Sequence, residues 1–197
     1  MENHEILTKK VLLESPTGKS KLWVVENFTK DYFKDLNALE LEISPKILVF
    51  GKQCKQNRDV GFFSNKSDGY KYAKTKTFSH KLTETLKNLM EKVNIYLGTH
   101  FNGILVNRYN NGKDYLSAHS DSKIDRDGIV AGLSFGTTRI FRIRDKKTKK
   151  IIFDYQVPPC SLLVMDGDFQ QEYKHEIPKQ IKIKEPRISL TFRLHTN

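Results

Sequence analysis

Arg187-Ile-Ser-Leu-Thr-Phe-Arg193, near the end of the chain, alternates strictly between polar and apolar side chains. In a strand, residues i and i+2 share a face. Ile188, Leu190, Phe192 and then Leu194 therefore face one way, and Arg187, Ser189, Thr191 and Arg193 the other. Working backwards from there, Gly103–Tyr109, Leu116–Asp121, Val130–Phe135, Arg139–Arg144, Lys150–Gln156, Ser161–Met165 and Tyr173–Ile177 are strand-length segments. Turn residues such as Asn110-Asn111-Gly112 divide them. The Asp145–Lys149 tip makes a hairpin of its two flanking strands. Strands this short and this regularly spaced predict a sandwich or jelly roll.

Upstream, Leu82, Leu86, Leu89 or Met90, Val93 and Leu97 recur at helical spacing, and Gly98 is a plausible stop. Lys21–Val25 reads as a strand with Trp23 in the core, and Asp31–Leu39 as a short helix opened by Thr29 and Lys30. Ile47–Gly51 is a further strand. From there to about Phe78 alternation is poor and charge high, which predicts hairpins or lid-like loops rather than core. The 197 residues suit one domain, made of an extension (1–45), a basic lid (46–81) and a helix with the strand-rich remainder (82–197).

No apolar run reaches membrane-helix length, and Met1–Lys10 lacks an apolar signal core. Cys54 and Cys160 form neither a disulfide framework nor a zinc spacing. An intracellular monomer in a reducing compartment, nucleus or cytoplasm, neither secreted nor membrane-bound, is expected. The formal charge of +11 is clustered. Nine basic residues between Lys46 and Lys81 face two acids, Asp59 and Asp68, and Arg142–Lys150 carries six against Asp145. Such clusters suit a polyanion, most often nucleic acid; a basic surface kept for solubility is the alternative.

His119-Ser-Asp121 is the sharpest chemical feature. On a strand its imidazole and carboxylate share a face. A third ligand from a later strand would complete two histidines and one carboxylate, the facial set of non-haem iron(II) oxygenases. His175 is the best candidate. Singly, each histidine is more often an ordinary core or surface residue. Arg187 and Arg193 on one face of a buried-looking strand are costly unless something anionic pairs with them. Either a dicarboxylate co-substrate or internal Asp and Glu would serve.

Asn107-Arg-Tyr109, His119-Ser-Asp121, Leu133-Ser-Phe-Gly136, His175-Glu-Ile-Pro178 and Glu185-Pro-Arg187-Ile-Ser-Leu-Thr-Phe-Arg193 stand in the order and spacing of the AlkB dioxygenases. The resemblance runs from about Ile47 to the C-terminus. It implies an α+β fold: a double-stranded β-helix (jelly roll) core with a buttressing helix and an N-terminal nucleotide-recognition lid. It implies that His119, Asp121 and His175 hold Fe(II). Arg187 would take the distal carboxylate of 2-oxoglutarate and Arg193 its metal-chelating end. Asn107 and Tyr109 would hydrogen-bond the co-substrate, Ser189 would contact it, and Thr191 would line the pocket. With O2 the reaction oxidises the alkyl carbon of a damaged base, and the hydroxymethyl adduct falls apart to formaldehyde and the repaired base.

Methylated Watson–Crick edges in a duplex are reached only by flipping the base. Phe50, Phe62, Phe63, Tyr70 and Tyr72 can supply aromatic walls, or simply cover the sheet. Tyr72 is the first choice for stacking, opposite His119. Val49-Phe50-Gly51 resembles the wedge of the duplex-DNA members, with Arg58, Tyr70 and Tyr72 following at matching spacing. Arg142–Lys150 and Lys179, Lys182 and Lys184 fall where those members grip phosphates. Double-stranded DNA carrying 1-methyladenine or 3-methylcytosine is thus the expected substrate. Two positions depart from the family. Ser122 and Lys123 stand where an acid often discriminates the base, with Asp125 next. Ser189 replaces the usual Asn, predicting weaker 2-oxoglutarate binding. An RNA demethylase, a protein hydroxylase or a silent nucleic-acid-binding module on the same scaffold are the rival readings.

Overall fold

The computed structural model describes residues 7–49, 51–72, 75–121 and 128–195, with residues 49, 70–72, 75 and 76 described by backbone alone. The chain opens with a hairpin of β1 (Lys9–Glu14) and β2 (Ser20–Val25), then a short helix α1 (Phe33–Asn37). Next come β3 (Lys46–Val49), β4 (Lys52–Lys55), β5 (Asp59–Ser64), β6 (Gly69–Tyr72) and β7 (Thr75–His80), followed by α2 (Glu84–Leu97). The rest is β8 (Gly103–Tyr109), β9 (Leu116–His119), β10 (Val130–Gly136), β11 (Arg139–Asp145), β12 (Ile151–Val157), β13 (Ser161–Gly167), α3 (Phe169–Glu172), β14 (Tyr173–Ile177) and β15 (Arg187–Arg193).

Among the described residues the strands form a major sheet, β1-β2-β13-β10-β15-β8-β5-β7-β6, and a minor sheet, β12-β11-β14-β9. The β3–β4 hairpin stands as a two-stranded sheet of its own. This is the jelly roll that the strand spacing predicts. The alternation of β2 shows how it is held. Leu22 and Val24 join Phe141, Ile143 and Leu163 between the sheets, while Trp23 and Val25 join Phe28, Leu86, Leu89 and Val93 on the opposite, helix-covered face. Central strands covered on both faces lose the polar half of the alternation, and β8 and β13 accordingly read as nearly continuous buried runs. On β15 the pattern survives: Ile188, Leu190 and Phe192 pack towards α2, leaving the polar face for the space between the sheets.

Thr83 caps α2, its hydroxyl accepting from the Leu86 N–H at 3.3 Å, so the helix starts at Glu84 and Leu82 precedes it. Gly98 ends it with a left-handed φ of 66°. α1 is shorter than expected because Asp31 accepts from the Phe33 N–H at 2.8 Å and so fixes the chain just ahead of the first turn. β1 has no counterpart among the expected strands. The larger correction concerns the basic stretch. β5 is buried at every position and pairs with β8. Phe62 and Phe63 are 0% and 4% exposed; they are core, not walls for a base. No helix among the described residues is long and apolar enough to cross a membrane.

Candidate active site

β9 and β14 run antiparallel with His119 directly opposite His175, and the ring centroids lie 4.3 Å apart. Asp121, two residues beyond His119, returns its carboxylate to the pair. Oδ1 is 3.6 Å from His119 Nε2, and Oδ2 is 3.9 Å from His175 Nε2. One ligand atom from each residue fits within a 4.8 Å span.

The protonation states suit a cation. His119 Nδ1 lies 2.9 Å from the Ser117 carbonyl. A carbonyl only accepts, so Nδ1 carries the proton and Nε2 keeps its lone pair. Burial lowers the pKa of His119 against the pull of Asp121, and burial together with His119 pushes His175 down to about 3. Burial favours the neutral acid at Asp121, but the charges around it, Arg193 foremost, hold its pKa below the usual carboxylate value. The site thus offers two neutral imidazoles and one carboxylate, the form that metal binding requires. The histidine–aspartate contacts are therefore not salt bridges at neutral pH. Asp121 Oδ2 is buried with no hydrogen-bond partner among the described residues, as expected of a ligand oxygen. Fe(II) fits this donor set.

The two arginines differ. Arg193 donates Nη2 to Asp121 Oδ1, so it meets an internal carboxylate. Arg187 is 3% exposed and meets none among the described residues. Its Nη2 donates to the neutral Ser134 hydroxyl at 2.8 Å, the Tyr109 hydroxyl lies beside the guanidinium, and among the described residues Nε and Nη1 make no well-formed hydrogen bond. Burial lowers its pKa to about 10, which leaves it cationic at neutral pH. A buried guanidinium with two idle donors is a site for an anion, and a carboxylate of 2-oxoglutarate fits it.

Between the triad and Arg187 lies a narrow cleft that opens to solvent. Ser189 and Thr191 line it, Ser189 in register with Ser134 and Asn107, and Thr191 with Gly132 and Leu105. Arg58 Nε donates to Asn107 Oδ1 at 2.6 Å. Arginine has no acceptor, so Arg58 fixes the amide oxygen and leaves the Asn107 nitrogen as the donor for the cleft. The Arg187 and Arg139 guanidiniums both lie over the Tyr109 ring, at 5.5 and 5.7 Å from its centroid. His119, Asp121, His175, Arg193, Arg187, Asn107, Tyr109, Ser189, Thr191 and Arg58 are thus brought together.

Phe50, Ser122 and Asp125 lie outside the described residues, and Tyr70 and Tyr72 are described only as backbone positions of β6. Arg142 and Arg144 do not stand free for phosphates. Arg142 pairs with Asp154 at 2.7 Å, and Arg144 with Glu176 at 2.9 Å.

Several contributors carry no sequence signal. Phe141 stacks on His175 at 5.3 Å and 17°. Arg139, 1% exposed, donates to the carbonyls of Asn111, Asp114 and Pro178, tying together the loops beside the cleft. Gln170 accepts from the Asp121 N–H at 2.8 Å.

Residues 26–193 match the family model of the 2OG-Fe(II) oxygenase superfamily. The chain is 39% identical over 124 residues to human alpha-ketoglutarate-dependent dioxygenase alkB homolog 3, covering 58% of this chain and 42% of that protein. It is 30% identical over 181 residues to the DNA oxidative demethylase ALKBH2 of Arabidopsis thaliana, covering 76% and 57%. The chain therefore spans about half the length of these relatives. The solved structure of OsALKBH1 shares the fold at a TM-score of 0.62 and 14% identity, covering 94% of this chain and 100% of that one.

Proposed function

The chain belongs to the 2OG-Fe(II) oxygenase superfamily, among its AlkB-like members, and from that premise we propose that it is an oxidative demethylase of N-alkylated bases in DNA. Its cofactors are Fe(II), 2-oxoglutarate and O2. In this reading the substrates are 1-methyladenine and 3-methylcytosine, and the preferred form is duplex DNA. The observation that carries it is the buried Arg187, with its idle Nε and Nη1, across one cleft from two neutral imidazoles and a carboxylate.

Iron, when bound, supplies the oxidation of the alkyl carbon at the expense of 2-oxoglutarate and O2. The chain's residues do the rest. His119, Asp121 and His175 would hold the metal. Arg187 and Ser134 orient the far carboxylate of the co-substrate, and the Asn107 amide nitrogen and the Tyr109 hydroxyl add donors along it. Arg193 keeps Asp121 ionised and fixed in rotamer. The apolar lining of Leu105, Leu163 and Met165 keeps water from the reacting carbon.

Support for DNA comes from the activity for which the ALKBH2 relatives are named and from the nine basic residues between Lys46 and Lys81. The duplex preference rests on the β3–β4 hairpin, separate from both large sheets and carrying Leu48 at 44% exposure. Such a finger fills the gap left by a flipped base. The test supplies Fe(II), ascorbate and 2-oxoglutarate with oligonucleotides bearing one 1-methyladenine or 3-methylcytosine, as single-stranded DNA, duplex DNA or RNA, and follows methyl loss by mass spectrometry. Demethylation that vanishes in His119→Ala supports the reading, and the fastest oligonucleotide identifies the substrate. No methyl loss from any of them, with iron and 2-oxoglutarate bound, refutes it.

A further inference from the structure

Asp121 lies past the end of β9, which stops at His119. The sheet ladder that aligns His119 with His175 therefore does not hold the main chain that carries the carboxylate ligand. Two side-chain bonds take its place. Ser120 Oγ donates to the Tyr173 carbonyl at 2.7 Å, and the Asp121 N–H donates to Gln170 Oε1 at 2.8 Å. Both acceptors belong to one short segment, α3 and the start of β14.

Gln170 is itself immobilised. It is buried, and its amide nitrogen donates to Met165 Sδ at 3.1 Å, which leaves the oxygen facing Asp121. α3 is tied down around it: the Asp168 N–H reaches the Lys19 carbonyl at 3.0 Å, Lys146 Nζ reaches the Gln170 carbonyl at 3.1 Å, and Phe169 is fully buried. A ligand whose backbone is fixed by a locked side chain needs less reorganisation to bind a metal.

We propose that Gln170 is a positioning residue for the iron site, holding the Asp121 backbone so that its carboxylate meets His119 and His175. This rests on the reading of those three residues as the iron ligands. Loss of the Gln170 oxygen leaves a buried N–H without an acceptor and lets the Asp121 backbone rotate away from the histidines.

The test titrates Fe(II) into the full chain without oxygen, with 2-oxoglutarate present, following the visible absorption of the complex. The proteins are wild type, Gln170→Met, Gln170→Asn and Gln170→Glu, each with thermal unfolding of the metal-free form. Methionine removes the acceptor, asparagine shortens its reach, and glutamate keeps an acceptor oxygen in place. Gln170→Met and Gln170→Asn are expected to weaken iron binding about 10–100-fold, with Gln170→Glu within about threefold of wild type. Should Gln170→Met fail to fold, the Asn and Glu pair carries the comparison. Unchanged iron affinity in the acceptor-poor variants, with or without lower thermal stability, would overturn the proposal, as would a Glu variant as weak as the Asn one. Wild type that binds no iron would instead refute the ligand assignment beneath it.

Discussion

Arg193 is ion-paired with Asp121, whereas Arg187, six residues earlier on the same face of β15, has no carboxylate partner among the described residues. Of the two explanations for a pair of arginines on a buried face, an internal acid accounts for Arg193, and Arg187 is left without one. Arg193 meets an internal acid, Asp121, and holds that carboxylate beside the two histidines. Arg187 keeps a charge in a dry site with donors to spare. A buried charge with unmet donors is costly, whereas the equally buried Arg139 is met by main-chain carbonyls; an anion bound at Arg187 would remove that cost.

Arg187→Met is accordingly expected to act in opposite directions on stability and binding. Without 2-oxoglutarate the variant should be more stable than wild type, by about 1–3 kcal/mol. That is a rise in Tm of roughly 2–12 °C for a chain of this size. Its 2-oxoglutarate affinity should fall at least about 100-fold. Thermal unfolding with and without 2-oxoglutarate checks both. A variant less stable than wild type in the empty form would show that Arg187 is a structural residue.

Arg193→Met leaves Asp121 buried without its cation. Iron affinity should fall about tenfold or more, while the folded core, held by Ile188, Leu190 and Phe192 on the other face, stays intact. Calorimetric iron titration beside circular dichroism separates the two effects. Retained affinity would mean that the ion pair does not prepare the ligand.

The strands that the sequence made legible are those with one polar face or clear turn residues at their ends. β8 and β14 fall within the expected bounds for that reason, and β15 shows its alternation because Arg187, Ser189, Thr191 and Arg193 face a cleft. β5 is obscured: Val60-Gly-Phe-Phe63 is buried on both faces, so it does not alternate, and it lies among lysines. β1 escapes notice because Lys9-Lys-Val-Leu-Leu-Glu14 is an outer strand with every position exposed or half-exposed; it is held by its ladder to β2, with Lys9 4.0 Å over the Trp23 ring. The site's ligands are legible as residue types. Its supports are not, since Arg139 is held by main-chain carbonyls and Gln170 meets a main-chain N–H.

Charges on the surface should divide by whether they are already paired. Arg142 and Arg144 are engaged by Asp154 and Glu176, whereas Lys182 and Lys184 are exposed. Lys182→Glu with Lys184→Glu should weaken DNA binding and lower the slope of log affinity against log salt by about 1 for each phosphate no longer neutralised. Arg142→Gln should change the slope little. Fluorescence anisotropy across a salt series checks this, and equal slopes in all variants would place the DNA on another face.

His195 should make stability depend on pH in the mildly acidic range. Its ring meets the edge of Phe62 at 4.8 Å, and its backbone is held by Asn102, which accepts at 2.8 Å and donates at 2.9 Å. Burial, and then the charge of Arg193, lowers its pKa from 6.5 to about 4. Between those values the unfolded chain binds a proton at this position that the folded chain refuses. Stability is therefore lost as pH falls from about 6.5 to about 4. In His195→Gln the drop in denaturation midpoint between pH 7 and pH 5 should be smaller than in wild type. Because His119 and His175 add slopes of the same sign to both proteins, the difference between the two curves isolates His195. An identical drop in the two proteins would mean that the ring accepts its proton in the folded state at an ordinary pKa.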